Sequence, residues 1–191
     1  ITGMMGFRAA GLARITFTDV AIPAANVVGK PGVALAYLAP IGLQYGRIST
    51  ACSALGVLRA CFEESTARAA SRKVGTGVAG GFGMIRSMIA RMGADLHAAE
   101  LLCLAASRAT DDRSPEAFTK ALVAKYFSSQ AAVRAASDAV QIWGAAGCHE
   151  DAPVSRYYRD AKILEIIEGT SQIHEDLLGR TFVEAASRSA A

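Results

Sequence analysis

A chain of 191 residues that is 52% hydrophobic can bury the core of one domain with a short appended segment. Its net charge of +3, from 20 basic and 17 acidic residues interspersed along the chain, offers no block of charge for nucleic acid. Charged residues interrupt every helical stretch before about 18 apolar residues accumulate, which argues against a membrane span and reads as a soluble chain.

The cysteines Cys52, Cys61, Cys103 and Cys148 include no C-x-x-C pair, so neither a zinc site nor a disulfide framework is indicated, and reduced, cytoplasmic thiols are expected. His97, His149 and His174 are too dispersed to suggest a ligand set, and no metal is expected. The chain starts at Ile1 with no signal-peptide pattern after it, and reads as a fragment or processed piece.

Residues 1–32 differ from the rest. Arg14 to Thr18 alternates polar and apolar residues, and Pro23, Gly29, Pro31 and Gly32 punctuate the stretch after it, which predicts a strand and a linker. A lone strand leaves its edges unpaired, so its sheet is expected to lie elsewhere. From about residue 36 the period becomes helical: Ile48, Cys52, Leu55, Leu58 and Phe62 form one face, with Pro40 and Gly42 in the early turns. Glycines 75, 77, 80, 81 and 83 predict an interhelical turn. A second helix carries Ile85, Met88, Met92, Leu96, Ala99 and Cys103. Ser114-Pro115-Glu116 is a helix-start signature for a third, whose stripe runs through Leu122, Tyr126, Ser129, Val133, Ala136, Val140 and Trp143 until Gly144 and Gly147 end it. Two more pieces, roughly 153–167 and 170–186, flank Glu168-Gly169. The sum is an all-α, four- to five-helix up-down bundle over residues 33–191, preceded by a short β-strand/linker segment over 1–32.

No phosphate-binding loop, zinc-protease helix or nucleophile elbow is present. Glu168 follows Ile163, Leu164, Ile166 and Ile167, so its carboxyl is expected in an apolar environment that raises its pKa, as carbon-acid chemistry requires. By spacing alone it is equally a helix-end residue. Arg72 and Lys73, at a helix end beside the glycines, read either as a cationic face for a pyrophosphate or as a solvated terminus.

The residues 158–163, Tyr-Arg-Asp-Ala-Lys-Ile, and 167–173, Ile-Glu-Gly-Thr-Ser-Gln-Ile, closely resemble the signature near the end of acyl-CoA dehydrogenases. The run 139–147 resembles that family's A-V-Q-I-x-G-G-x-G, Arg72-Lys73 takes the place of its R-x-x-F-G, and Phe17 to Val20 with Pro23 and Gly29 resembles the end of its middle β-domain. The resemblance covers nearly the whole chain, in order, and corresponds to about the last half of a family subunit. It implies FAD bound between a sheet, this bundle and a neighbouring subunit's bundle, hence a homo-oligomer, dimer or tetramer. It further implies an acyl thioester substrate, on CoA or a carrier protein, and an electron-transfer partner.

On the same resemblance Glu168 is the base that takes the α-proton while hydride passes from the β-carbon to flavin. Relatives with an earlier base carry it where this chain has Gly46. Gln44, Arg47 and Gly169 fall at substrate-lining positions, and Arg72, Phe82, Gln141, Gly144, Thr170 and Gln172 at flavin-binding ones. Gly75, Gly83 and Ala145 replace the family's aromatic, glutamine and second glycine, each removing a contact or a donor. Two other readings stay open: a flavin monooxygenase or oxidase on the same fold, and a catalytically silent helical assembly module.

Overall fold

The computed structural model describes residues 1–189, and helices dominate it. They are α1 (Ala39–Ser71), α2 (Gly83–Asp111), α3 (Ala117–Trp143), α4 (Pro153–Ile166) and α5 (Ser171–Ser189). A π-helical turn, Ala34–Leu38, leads into α1, where Pro40 sits harmlessly in the first turn. Short connections reverse the chain at each step from α1 to α4, as an up-down bundle requires. The glycine-rich turn between α1 and α2 is a two-residue-per-strand hairpin, β1 (Lys73–Val74) with β2 (Gly77–Val78), pivoting on Gly75 at φ +58°.

α3 packs against all four other helices. Its buried residues cover about half of its circumference, from Ala121 and Leu122 through Ala131, Ala132, Ala135 and Ala136 to Ile142, and Arg134, Ser137 and Gln141 face outward. The predicted stripe is only one edge of this surface: Leu122, Ser129 and Ala136 are buried, whereas Tyr126, Val133, Val140 and Trp143 are half-buried. The face predicted for α1 is likewise rotated. Cys52 is exposed, and the seam is made by Ala51, Ala54, Leu58, Cys61, Ser65 and Ala69. Small side chains hold the seam because they let helix axes approach closely, which displaces larger residues to its margins. On α2 the predicted residues do face inward, with Met92, Leu96, Ala99 and Cys103 buried.

No strand forms at Arg14–Thr18: these residues are exposed, and no other strand among the described residues lies beside them to make a ladder. The amino-terminal segment nevertheless docks on α4. The Phe7 N–H donates to Asp160 Oδ1 at 2.7 Å, and Gly6 lies so close that an added Cβ would sit 2.5 Å from the Arg159 carbonyl oxygen. At the start of α3, the Ser114 hydroxyl accepts the Glu116 N–H at 3.2 Å, so the capping turn falls as expected and the regular helix comes directly after it. Among the described residues no helix is long and apolar enough to cross a membrane.

Because the α3 seam is filled to contact by methyl groups, Ala132→Leu is expected to destabilise the fold by about 1–3 kcal/mol. A lowered urea midpoint at unchanged m-value would show it; an unchanged midpoint would contradict the packing described.

Candidate active site

Between α4 and α5 the backbone turns through two left-handed residues, Glu168 at φ +57° and Gly169 at φ +97°. The left-handed conformation costs a non-glycine residue about 1–2 kcal/mol, so Glu168 is held there by its surroundings. Its carboxyl group lies against Gly46 on α1, where an added Cβ would stand 2.5 Å from the Glu168 Cδ and collide with Oε2. The glycine on α1 is therefore the space that the glutamate occupies. Oε2 is buried and has no hydrogen-bond partner. Gly169 is fixed as glycine twice over, by its φ and by the His174 ring, whose Cε1 would stand 2.8 Å from a Cβ.

Arg47, next to Gly46, is 7% exposed and stacks its guanidinium 5.3 Å from the centre of the Phe118 ring. Burial lowers its pKa, against the raising influence of the Glu168 charge. One turn earlier Gln44 donates to Thr110 Oγ1 at 3.0 Å. Gln44, Thr110 and Phe118 line an open cleft of about 300 Å³ together with the apolar Ile41 and Tyr45. The structure thus brings Gln44, Arg47, Glu168 and Gly169 to one end of the bundle. The expected apolar surroundings of Glu168 are not what it finds: Leu164 is buried, but Ile166 and Ile167 are 49% and 38% exposed, and the charges that reach Glu168 are those of Arg47 and Lys125.

Lys125, on α3, is fully buried. Its ammonium donates to the Glu165 carbonyl at 2.9 Å and to the Gly169 carbonyl at 2.6 Å, so it spans the corner. Burial holds its pKa down to about 8, partly opposed by Glu165 and Glu168. His174, also fully buried, has Nδ1 3.0 Å from the Thr170 carbonyl, and burial lowers its pKa. The Ser171 hydroxyl donates to Glu165 Oε1 at 3.2 Å. Sequence reasoning singled out neither Lys125 nor His174 for this corner. The available signal was a lysine one turn after Leu122 and beside Ala121 and Ala124, on a helix otherwise lined with small residues.

The remaining site residues fall into two groups. Thr170 and Gln172 enter α5 directly after the corner, half-buried and exposed respectively. Arg72, Gln141, Gly144 and Phe82 lie at the opposite end. There Arg72 Nη1 donates to the Ile142 and Trp143 carbonyls at 3.2 and 3.4 Å, closing the last turn of α3. Gly144, at φ +67°, would place a Cβ 3.0 Å from the same nitrogen. Gln141 and Phe82 are exposed beside this end. A rise of about 1.5 Å per residue along α1 separates Arg47 from Arg72 by roughly 37 Å.

A model of the acyl-CoA dehydrogenase C-terminal domain matches residues 32–183. The chain belongs to the acyl-CoA dehydrogenase family. It is 36% identical over 181 residues to a probable acyl-CoA dehydrogenase, YngJ, of Bacillus subtilis, covering 94% of this chain and 47% of that one. It is 36% identical over 170 residues to the mitochondrial short-chain specific acyl-CoA dehydrogenase of Mus musculus, covering 88% and 40%. The solved butyryl-CoA dehydrogenase of Megasphaera elsdenii superposes with a TM-score of 0.84 at 32% identity, over 87% of this chain and 43% of that one. The chain thus spans less than half the length of these relatives.

Acyl-CoA dehydrogenases are generally FAD-dependent oxidoreductases. The corner fits such a cofactor and its substrate: a buried, unpartnered carboxylate oxygen faces the Gly46 gap, and polar side chains open the following helix. At the far end Arg72 is held by carbonyls yet half-exposed, and Gly75, Gly83 and Ala145 offer no side-chain donor or ring beside it.

Lys125 gives the fold a pH signature. Above about pH 8 the folded chain releases a proton that the unfolded chain keeps to about 10.5, so this group makes stability rise with pH there. Cys61 and Cys103, pushed up to about 12 and about 11 by burial, act oppositely once unfolded thiols ionise near 9. Between pH 8 and 9 the lysine adds about 1 kcal/mol to the folding free energy, which the thiols partly cancel. Lys125→Met keeps the thiols and loses the lysine, so over that range its stability is expected to fall behind that of the wild type by about 1 kcal/mol. Urea midpoints measure it; parallel curves for the two proteins would contradict the assignment.

Proposed function

We propose that this chain supplies the base and part of the cofactor and substrate pockets of an FAD-dependent acyl-thioester dehydrogenase. The observation that carries this reading is the Glu168 carboxyl, seated in the space left by Gly46 with Oε2 buried and unpartnered. A carboxylate in that state is available to remove a proton from the α-carbon of a thioester. The backbone N–H of Glu168 is positioned by the left-handed turn to donate to the thioester oxygen, where charge develops as the proton leaves. Bound FAD supplies the acceptor for the hydride leaving the β-carbon, so the product is an α,β-unsaturated thioester. Arg47 and Gln44 border the acyl cleft, with Ile41, Tyr45 and Phe118 as its apolar wall. The names of the similar proteins, acting on short-chain and butyryl-CoA, support CoA rather than a carrier protein as the thioester's other half.

Thr170 and Gln172 serve the dinucleotide next to Glu168. Arg72, Phe82, Gln141 and Gly144 are too distant to reach the same molecule and serve one bound against a second copy, which makes the enzyme a homo-oligomer, dimer or tetramer. Reoxidation then falls to a separate electron-transfer partner. Free thiols at Cys52 and Cys148, both exposed, suit a reducing compartment such as the cytoplasm.

The test is anaerobic flavin bleaching by butyryl-CoA in the full-length, FAD-loaded protein. Glu168→Gln is expected to retain bound flavin and slow bleaching by about 10²- to 10⁴-fold. Undiminished bleaching would remove Glu168 as the base, a requirement for oxygen would favour an oxidase, and a protein that binds no FAD would leave an assembly module.

Gly46→Ala probes the same geometry from α1. Alanine is the better helix former by about 1 kcal/mol, so the helix is retained, while the methyl group displaces the Glu168 carboxyl. A fall in kcat of about 10²-fold with unchanged thermal midpoint is expected; wild-type turnover would show that the carboxyl does not work from this position.

A further inference from the structure

The Glu168 corner contains a buried cation that proton abstraction by Glu168 does not itself call for. Lys125 is fully buried, forms no ion pair within 4.0 Å among the described residues, and is directed at two main-chain carbonyls. Those carbonyls, of Glu165 and Gly169, bracket the left-handed residue Glu168. Burying an ammonium group is costly unless its donors are satisfied and opposite charge is near. A structural lysine needs only the first. Lys125 has both, because Glu165 and Glu168 each act on it through space.

We propose that Lys125 is the positioning residue for the catalytic base: its ammonium pins the Glu165 and Gly169 carbonyls on either side of Glu168 and so holds the turn that presents the Glu168 carboxyl. The inference rests on the reading of Glu168 as base. A turn of two left-handed residues, one bearing a side chain, relaxes unless its carbonyls are held. The Lys125 ammonium holds one on α4 and one within the turn, so unwinding the turn would break a charge-assisted bond. His174 contributes from α5 by bonding the Thr170 carbonyl, and its ring leaves room only for the hydrogen of Gly169.

The charges facing this ammonium come from every element around it. Arg47 approaches from α1, Glu165 from α4, Glu168 from the corner and His174 from α5. Lys162 also pairs with Glu165, at 2.5 Å from its Oε2. Loss of the Lys125 charge leaves Glu165 less compensated and Glu168 with Arg47 as its remaining buried cation.

The experiment compares kcat and KM for the full-length FAD-loaded wild type, Lys125→Met, Lys125→Gln and Glu168→Gln. Lys125→Met is expected to lower kcat about 10- to 100-fold and leave KM within about threefold, the split a misplaced base produces. Lys125→Gln removes the same charge but keeps an amide donor for the carbonyls, so it is expected to lose less kcat; it also decides the matter if the methionine variant does not fold. If Glu168→Gln is inactive while the Lys125 variants keep the wild-type kcat, the role of Lys125 is overturned and the base assignment stands. If Glu168→Gln turns over like wild type, the base assignment fails and this inference with it.

Discussion

A helix can pack against four others in one bundle only if its side chains are small across a broad buried face, and α3 meets that condition with Ala124, Ala131, Ala132, Ala135, Ala136 and Ala139. The other features of the fold depend on it. α1 presents its own small residues, Ala51, Ala54, Ser65 and Ala69, to the same seam, and its larger ones are pushed to the edges. Close approach also leaves little room for a long polar side chain on α3: Ser128 and Ser129 find partners within the seam, whereas Lys125 must reach a helix end. Lys125 reaches such an end, the carboxyl terminus of α4, and the corner beyond it carries the Glu168 carboxyl.

Two glycines then decide what that corner can do. Gly169 lets the backbone turn against the His174 ring, and Gly46 opens the neighbouring helix to the Glu168 side chain. Neither acts through flexibility. Each is a volume that a methyl group would fill, and together they determine where the carboxyl group lies and that one of its oxygens is left without a donor.

Much of this was legible in the sequence, for reasons that differ by element. Pro153 and the left-handed Gly144 mark α4's start and α3's end because proline and glycine act locally, through φ and the missing N–H or Cβ. The inward face of α2 was legible because Met92 and Leu96 are large enough to show a period. The seams of α1 and α3 were not, since alanine is neutral in any hydrophobic pattern and Cys52 looks more apolar than the Ala51 that is buried. The strand expected at Arg14–Thr18 had the right alternation, but alternation specifies a face and not a partner. The order Ile-Glu-Gly-Thr pointed to Glu168 through family resemblance. The gap that receives its side chain lies on α1, more than a hundred residues earlier, and no local pattern joins the two.

Lys125 and Arg72 show how one device serves two ends of the bundle differently. Each is a cation donating to carbonyls left over at a helix carboxyl terminus, Lys125 at α4 and Arg72 at α3. Arg72 is half-exposed, so water screens its charge and its outer face remains open to another group. Lys125 is fully buried, and its charge acts on Glu168 with little screening. The same bonding pattern therefore yields a partly exposed cation at one end and, at the other, an internal field that bears on a carboxyl group. What distinguishes them is depth in the bundle, and depth is set by how closely the alanines of α3 let its neighbours approach.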